Sequence, residues 1–327
     1  MISLKVADME TTLNNRLKKE AISGAKQGWH SFIWMVEIIA PISLIMAIFQ
    51  WTGWLSNVYH YLQPMMSFLN LPPEAAFPII SGIVINIYAV IAILTILPFS
   101  IGQMTLIAIF TLVAHNTIVE GIIQHRSGIN FIKAFLLRMI TAVVLVFIVS
   151  RFFTGTAQSI NITATATVQA PFLTMLRSWA IDTLILLAKI FGIIMFIMIL
   201  LQISKTLGWI EKVNHVIRPL TRVLGFSSSL ATSYVAGIVF GLMYGAAVII
   251  EEAKKESTDR QELKYLQASL GINHSLIEDH ILFAMLGLNL LWLWIPRLIM
   301  AIAVVQGYRL IHRLTSKPEL TGVKKIA

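Results

Sequence analysis

Long stretches without a single acidic or basic residue constrain this chain more than any other feature. Runs free of Asp, Glu, Lys and Arg cover residues 75–100, 101–119, 223–250 and 281–296. A membrane-spanning helix needs about 20 predominantly apolar residues, and most of these runs reach or approach that length. Charged residues are 13% of the chain, about half of the roughly 25% in an ordinary soluble domain. The sequence therefore excludes a water-soluble globule and predicts an all-α integral membrane protein.

The charge distribution indicates a lipid partner rather than nucleic acid. The net charge is +9, with the basic residues clustered at the termini and in loops, as expected beside anionic lipid and under the positive-inside rule. The first 30 residues are polar and basic and lack the apolar core of a cleavable signal peptide. The absence of cysteine excludes disulfides and thiolate metal sites.

The chain contains an internal repeat. Gly53-Trp54 and Gly208-Trp209 open similar motifs 155 positions apart, and the same offset relates the Gly-Ile-Val motifs at 82–84 and 237–239. Further along, residues 115–120 match residues 273–278 at an offset of 158, which three inserted residues would explain. Chance similarity between two apolar halves would not reproduce Gly-Trp, His, Pro and Glu at fixed spacing.

The two halves are predicted to be inverted relative to each other. Residues 52–73 contain no Lys or Arg, whereas the equivalent stretch of the second half carries Lys205, Lys212, Arg218 and Arg222. The positive-inside rule places these two stretches on opposite sides of the membrane. Each half is therefore expected to have three transmembrane helices, an amphipathic interfacial helix and a re-entrant or broken helix.

The crossings are predicted at 31–50, 75–98 and 131–150 in the first half and at 178–204, 229–250 and 281–306 in the second. Residues 104–122 and 265–280 are the predicted re-entrant elements, the first with a break near His115-Asn116. The stretch 104–122 is long enough to span, and this alternative stays open. The predicted domains are a cytoplasmic amphipathic N-terminus (1–30), repeat 1 (31–151), an extracytoplasmic polar linker (152–177), repeat 2 (178–307) and a cytoplasmic basic tail (308–327).

The two break motifs are the best candidates for solute binding. Each combines an Asn, a His and a hydroxyl with a carboxylate three residues beyond the hydroxyl. The candidate substrate-binding residues are His115, Asn116, Thr117, Glu120, Asn273, His274, Ser275 and Glu278. Helices that begin inside a bilayer point N–H groups and a positive dipole end at the midplane, and broken helices form the substrate site of many transporters. The Ser/Thr-x-x-Glu spacing also fits a capping box, so a structural role stays open.

Two further sets of charges are expected to pair. Arg138 and Arg297 recur beyond the two glutamates and could neutralise them. Glu37 and Lys189 are predicted to face each other across the pseudo-two-fold axis, with snorkelling to opposite interfaces as the alternative.

The sequence predicts neither a bound cofactor nor an enzyme. The cluster His274, Glu278, Asp279 and His280 invites a metal interpretation, but a site there needs ligands from the other half as well, and no metal is predicted. Phosphate loops, nucleophile elbows and zinc signatures are absent from the sequence.

The repeated motifs resemble those of a known family. With the Gly-Ile-Val helix, the break motif and the terminal Arg helix each occurring twice, residues 30–307 resemble two units of the nucleoside recognition (Gate) domain family. That group includes spore maturation proteins A and B and the membrane part of ferrous iron transporter B. The resemblance implies a polytopic protein of the bacterial inner (plasma) membrane with re-entrant elements and a transport role. This chain lacks that transporter's GTPase and its Gate cysteine, which counts against ferrous iron.

Two function hypotheses follow. The first is a transporter or permease for a small polar solute, nucleoside-like or an ion, whose glutamates couple to protons or cations. The alternative is a non-transporting membrane module that assists assembly or regulation, with the charged segment 251–264 as its docking surface. Both termini are expected in the cytoplasm, and homo-oligomerisation is left open.

Overall fold

A computed structural model describes residues 2–54, 59–155, 171–255 and 257–315, in which the protein is all-α without a strand. The helices of the first half are α1 (Ile2–Trp51), α2 (Tyr59–Phe68), α3 (Ala76–Val84), α4 (Ile87–Ile96), α5 (Ile101–Ala114), α6 (Thr117–Arg126) and α7 (Phe131–Val149). Those of the second half are α8 (Phe172–Thr206), α9 (Trp209–Val223), α10 (Ala231–Lys254), α11 (Arg260–Ile272), α12 (Glu278–Ala284) and α13 (Leu290–Thr315). Most of the predicted linker 152–177 lies outside the described residues.

Several helical segments are long and apolar enough to cross a membrane, which confirms the predicted all-α, multi-pass membrane protein. The segments are Asn14–Trp51, Ile101–Arg126, Phe131–Phe152, Phe172–Ser204 and Leu290–Thr315. The second of them, formed by α5 and α6, is 78% buried over its apolar window, against 22–39% in the other four. Other helices therefore shield α5 and α6 from lipid, and this pair lies at the centre of the protein.

The first long helices of the two halves, α1 and α8, pack against each other in opposite directions. Gly24 of α1 lies against Ile199 of α8, and further along α1 Ser43 accepts a hydrogen bond from Nε1 of Trp179 at 3.0 Å. A Cβ atom on Gly24 would lie 2.7 Å from the Ile199 Cα. The glycine thus permits the close approach of the two antiparallel backbones.

The crossing predicted over residues 75–98 is not a single helix, because this segment consists of two short helices, α3 and α4. The Asn86 side chain begins the second helix by accepting hydrogen bonds from the N–H groups of Tyr88 and Ala89, both at 3.1 Å. The corresponding residue of the second half is Gly241, which interrupts α10 with φ +77°. Both halves therefore break this helix at the same repeat position, once with a capping side chain and once with a glycine in the left-handed region.

Other predicted boundaries also differ from the structure. The crossing predicted over 281–306 is divided, because α12 ends at Ala284 and α13 begins only at Leu290 after a turn containing Gly287. The predicted domain boundary between residues 30 and 31 lies inside the uninterrupted helix α1. The boundaries at 178 and 307 likewise lie inside α8 and α13.

The repeated glycines of the Gly-Ile-Val motifs allow the broken helices to pack closely. A Cβ atom on Gly82 would lie 2.8 Å from a methyl group of Val90 and 2.9 Å from the methyl group of Thr111 in α5. A Cβ atom on Gly237 would lie 2.6 Å from a methyl group of Leu270 in α11. The motif therefore recurs because a side chain at this position has no space in either half.

Replacing Gly82 by Ala is expected to destabilise the protein through this contact. Overpacking a filled site typically costs about 1–3 kcal/mol, and thermal unfolding of the purified protein in detergent measures the loss. Gly192→Ala in α8 is the matched control, since no atom lies within 4 Å of its added Cβ. An unfolding temperature that is equal in the two variants would contradict the packing role of Gly82.

Candidate functional site

The first candidate motif lies at a break between two half-helices. α5 ends at Ala114, α6 begins at Thr117, and Asn116 between them has the left-handed φ of +47°. The backbone N–H of Asn116 donates to the Gly82 carbonyl at 2.8 Å, which ties the break to α3. The helix is therefore interrupted where the sequence motif predicts.

The second candidate motif has the same local structure. α11 ends at Ile272, α12 begins at Glu278, and Ser275 between them has the left-handed φ of +50°. The backbone N–H of Ser275 donates to the Gly237 carbonyl at 3.2 Å. The two halves thus build equivalent breaks, each held by the glycine of its own Gly-Ile-Val motif.

The equivalent breaks correct the repeat offset from 158 to 159. Nδ1 of His115 and Nδ1 of His274 each bond the carbonyl four residues earlier, at 2.9 and 2.8 Å. At this offset Glu120 corresponds to Asp279, so the predicted correspondence of Glu120 with Glu278 was wrong. Between the Gly-Ile-Val motif and the break motif, the second half therefore contains four more residues than the first half, not three.

The repeated arginines close the ends of the half-helices. Arg138 is fully buried and donates from Nε to the Val113 carbonyl and from Nη2 to the His115 carbonyl, both at 2.7 Å. Arg297, also fully buried, makes the equivalent two bonds at the end of α11, at 3.1 and 3.2 Å. The last carbonyls of a helix lack intrahelical partners, and a cation there interacts favourably with the helix dipole.

One of the two predicted Arg–Glu pairs is present, that of Arg138 with Glu120. Nη1 of Arg138 lies 2.7 Å from Oε2 of Glu120. Glu278 instead accepts a hydrogen bond from the Tyr88 hydroxyl at 2.6 Å, so the pairing of Glu278 with Arg297 was wrong. A register error of one residue turns a helical side chain by about 100°, which explains why Glu278 reaches α4 rather than α13.

Two imidazoles and two carboxylates meet between the breaks, one of each from each half. The ring centroids of His115 and His274 are 5.0 Å apart. The carboxylate of Glu120 lies 3.6 Å from Nε2 of His115 and 3.3 Å from Nε2 of His274. Oδ2 of Asp279 lies 3.6 Å from Nε2 of His115. All four side chains are buried, so their charges and lone pairs interact with little screening by water.

The capping-box interpretation of the two motifs was wrong. The Thr117 hydroxyl donates to the Ala114 carbonyl at 2.5 Å instead of accepting from an N–H group of α6. Ser275 lies three residues before α12, whose N-cap position is occupied by Ile277. A capping box does occur one helix earlier, where Ser100 caps the first turn of α5.

The predicted pair of Glu37 and Lys189 does not form in the described part of the chain. Both side chains are exposed, and no ion pair within 4.0 Å joins them. Gly28 packs beside Met195, so the antiparallel register displaces Glu37 from Lys189 by about one helical turn. The register of the two helices therefore does not bring these two charges into contact.

A cavity of about 240 Å³ opens onto the four-residue cluster. Six of the eight predicted binding residues line it: His115, Asn116, Glu120, His274, Ser275 and Glu278. The other two, Thr117 and Asn273, are buried but absent from its lining. The predicted residues thus mostly converge on one space, although they come from two halves of the chain.

Three polar or aromatic cavity residues were missed by the sequence analysis, Trp34, Asn86 and Tyr88, and Asp279 was named there only in the metal cluster and not as a substrate-binding residue. An Asn directly before an apolar run is a helix-start signal, so Asn86 could have been found. Aligning the two break motifs on their histidines would have found Asp279. Trp34 and Tyr88 meet edge-to-face with ring centroids 5.7 Å apart, a tertiary contact that no local pattern announces.

Comparison with known proteins supports the family resemblance. Residues 187–305 match the family model of the Gate domain, described as nucleoside recognition. The chain is also 26% identical over 275 residues to YvoD of Bacillus subtilis (strain 168), described as an uncharacterized membrane protein, covering 83% of this chain and 88% of that protein. No solved structure matches.

The resemblance to the Gate domain is therefore confirmed over residues 187–305, and the membrane-protein relative extends over most of both halves. These similarities indicate a multi-pass membrane protein and suggest a transport-related role. The corresponding Gate unit in the first half remains a prediction.

Proposed function

We propose that this protein is a secondary transporter or permease for a small polar solute, with its central site at the interface of two inverted repeats. The observation that carries the proposal is the meeting of both helix breaks, with their imidazoles and carboxylates, at one cavity of about 240 Å³. Ionisable groups at membrane depth are costly and mark solute or ion paths. Discontinuous helices at a repeat interface form the substrate sites of many transporters.

The packing of the two halves supports an inverted repeat. Helices α1 and α8, which begin the two halves, run antiparallel. The halves also exchange polar contacts at the centre: Arg297 donates to the Leu112 carbonyl at 3.0 Å, and Gln124 donates to the Gln267 carbonyl at 2.9 Å. A site formed in this way can be exposed to either side when one half rocks against the other.

A second, larger cavity of about 910 Å³ offers a route to the central one. Polar side chains on one face of α1 line it: Ser23, Lys26, Gln27, His30 and Ser31. Trp34 and Glu278 line both cavities, so they and Tyr88 form the constriction between them. With the basic N-terminal end of α1 in the cytoplasm of a bacterial cell, the larger cavity is the cytoplasmic vestibule of a protein in the inner membrane.

The groups around the central cavity divide between recognition and coupling. Glu120 and Asp279 supply the negative charge that couples a proton or cation to transport. The polar side chains of Asn116 and Ser275 lie on the cavity wall at the two breaks, where they hydrogen-bond the solute. Glu278, held by the Tyr88 hydroxyl, controls entry from the vestibule.

A single cysteine at Ser275 tests whether solute passes through the central cavity. The chain contains no cysteine, so an introduced thiol is the sole target of a methanethiosulfonate reagent. Uptake into proteoliposomes is measured for Mn²⁺, uridine and alanine. We expect uptake of at least one of them, and we expect labelling of Ser275→Cys to block it because the reagent occupies the cavity.

Ser178→Cys, an exposed position on α8, is the matched control and is expected to tolerate labelling. Uptake that persists in Ser275→Cys after complete labelling would contradict the central site. If the protein carries none of the three solutes, and replacement of segment 251–264 removes its cellular phenotype, the non-transporting module is favoured instead.

A further inference from the structure

The central cluster brings four electron-pair-donating side chains close together. One potential ligand atom from each of His115, His274 and Asp279 lies within 4.8 Å of the other two, and Nε2 of His115 is 3.6 Å from Oδ2 of Asp279. The nearest carboxylate oxygen of Glu120 is 3.3 Å from Nε2 of His274. Lone pairs facing one another at these distances repel unless a cation lies among them.

The hydrogen bonds of the two histidines fix which ring nitrogen faces the cavity as an acceptor. Nδ1 of His115 contacts the Thr111 carbonyl at 2.9 Å, and Nδ1 of His274 contacts the Leu270 carbonyl at 2.8 Å. A carbonyl oxygen can only accept, so Nδ1 carries the hydrogen in both rings. The neutral imidazole then presents a lone pair at Nε2. This arrangement, with the other ring nitrogen donating to a carbonyl, is the one that orients metal-ligating histidines.

Two of these atoms have no other partner. Nε2 of His274 and Oδ2 of Asp279 are buried and have no hydrogen-bond partner outside the cluster. The side chain of His274 is 0% exposed and that of Asp279 is 8% exposed. Buried polar atoms are nearly always satisfied, so two unsatisfied atoms aimed at the same point indicate a ligand.

One carboxylate of the cluster, that of Asp279, forms no ion pair with a Lys or Arg among the described residues, so a cation bound in the cluster would balance its charge. Glu120 is paired with Arg138 at 2.7 Å. Asp279 has no Lys or Arg within 4.0 Å among the described residues, its nearest basic neighbour being the imidazole of His115. Arg297, the other buried cation nearby, is occupied by backbone carbonyls and by Nε2 of His280 at 2.8 Å.

We infer that His115, His274 and Asp279 bind a first-row divalent transition-metal cation, with Glu120 adjacent to complete its coordination. Two imidazoles and one or two carboxylates suit Zn²⁺, Mn²⁺ or Co²⁺, whereas Ca²⁺ and Mg²⁺ prefer oxygen ligands alone. The ligands come from both halves, so binding would join the two breaks across the repeat interface. The inference rests on the proposed function in naming the cation as the solute class, and the binding site itself is tested separately.

Metal binding is tested on the purified, metal-stripped protein in detergent. We expect Co²⁺ to bind with a visible ligand-field spectrum and Zn²⁺ to displace it. His274→Gln and Asp279→Asn each remove one ligand and are expected to weaken Co²⁺ binding by at least about tenfold, since loss of even an outer-sphere partner costs about 10–100-fold. His125→Gln, at an exposed position near the end of α6, is the control and should retain binding.

A second measurement needs no substitution. The unsubstituted protein is loaded with Cu²⁺, and pulsed electron paramagnetic resonance counts the imidazoles that coordinate the ion. Two are expected. A folded protein that binds no Co²⁺, a spectrum without coordinated imidazole, or variants that bind as tightly as the unsubstituted chain would overturn the inference. Those results would mean that a proton shared between the imidazoles and carboxylates fills the cluster.

Failure of the metal site is distinguishable from failure of the transport proposal. Uptake of uridine or alanine by a protein that binds no metal contradicts the metal site alone. Tight Co²⁺ binding without uptake of any panel solute, Mn²⁺ included, contradicts transport and leaves the metal site in place.

Discussion

Asp279→Asn and Glu120→Gln are each expected to reduce proteoliposome uptake to the level of protein-free vesicles. In the proposed mechanism the two carboxylates supply the negative charge of the central cavity, and they occupy equivalent positions in the two halves. Each substitution keeps the size of the side chain and removes its capacity to carry a charge. Because the site lies at low dielectric, the lost electrostatic interaction is much larger than it would be in water.

The pair of variants separates a loss of transport from a loss of folding. Glu120→Gln leaves the buried guanidinium of Arg138 without its carboxylate partner, so this variant is expected to be less stable as well. Asp279→Asn has no such partner among the described residues and should keep the unfolding temperature of the unsubstituted protein. Glu252→Gln, which removes the charge that pairs with Lys255 at 2.7 Å and involves no residue lining the central cavity, is the control and should transport normally. Full uptake by Asp279→Asn would contradict the proposed coupling role of Asp279.

Replacing Arg138 by Leu is expected to be the most destabilising single change proposed for this protein. The guanidinium is fully buried, joins the carboxylate of Glu120 and satisfies the carbonyls of Val113 and His115. Removing one partner of a buried ion pair typically costs about 3–5 kcal/mol, because the remaining charge stays buried and unpaired. The end of α5 would also lose the donors that satisfy its last carbonyls.

Chemical denaturation in mixed micelles, followed by tryptophan fluorescence, measures this loss. Arg151→Ala is the matched control, since this arginine is exposed near the end of α7 and contacts the Phe147 ring with its cation. The control is expected to change stability by about 0.5–1 kcal/mol, as exposed cation–π contacts do. The double variant Arg138→Leu with Glu120→Leu should recover part of the lost stability, because it leaves no unpaired charge. A loss below about 1 kcal/mol in Arg138→Leu alone would contradict the structural role of this arginine.

The class of the protein and the positions of its breaks could be predicted from local sequence. Apolar runs of about 20 residues have few stable alternatives to membrane helices. The motif around His115-Asn116 interrupts such a run with polar residues, and the structure places a left-handed residue there. The break at Asn86 was missed, although its helix-start signal is equally local. Apolar length alone therefore suggested one continuous helix where the chain forms two.

The pairing of individual side chains was predicted less well, because it depends on register. A similarity of six residues admits an offset of 158 or 159, and this single residue decides whether Glu278 or Asp279 corresponds to Glu120. The structural offset follows from bonds between distant segments, such as those of Asn116 to Gly82 and of Ser275 to Gly237. No spacing within the motif contains that information.

By itself, the sequence determined that the chain is an all-α membrane protein, that its motifs occur twice, and that polar residues interrupt apolar segments at the two break motifs. These properties depend on composition and on neighbours within one or two helical turns. Only the tertiary structure decided that the imidazole and carboxylate of one break face those of the other, that Arg297 bonds carbonyls rather than Glu278, and that Trp34 and Tyr88 border the cavity. Side chains from separate helices meet according to how each helix is rotated and packed, and that rotation is set by the whole bundle at once.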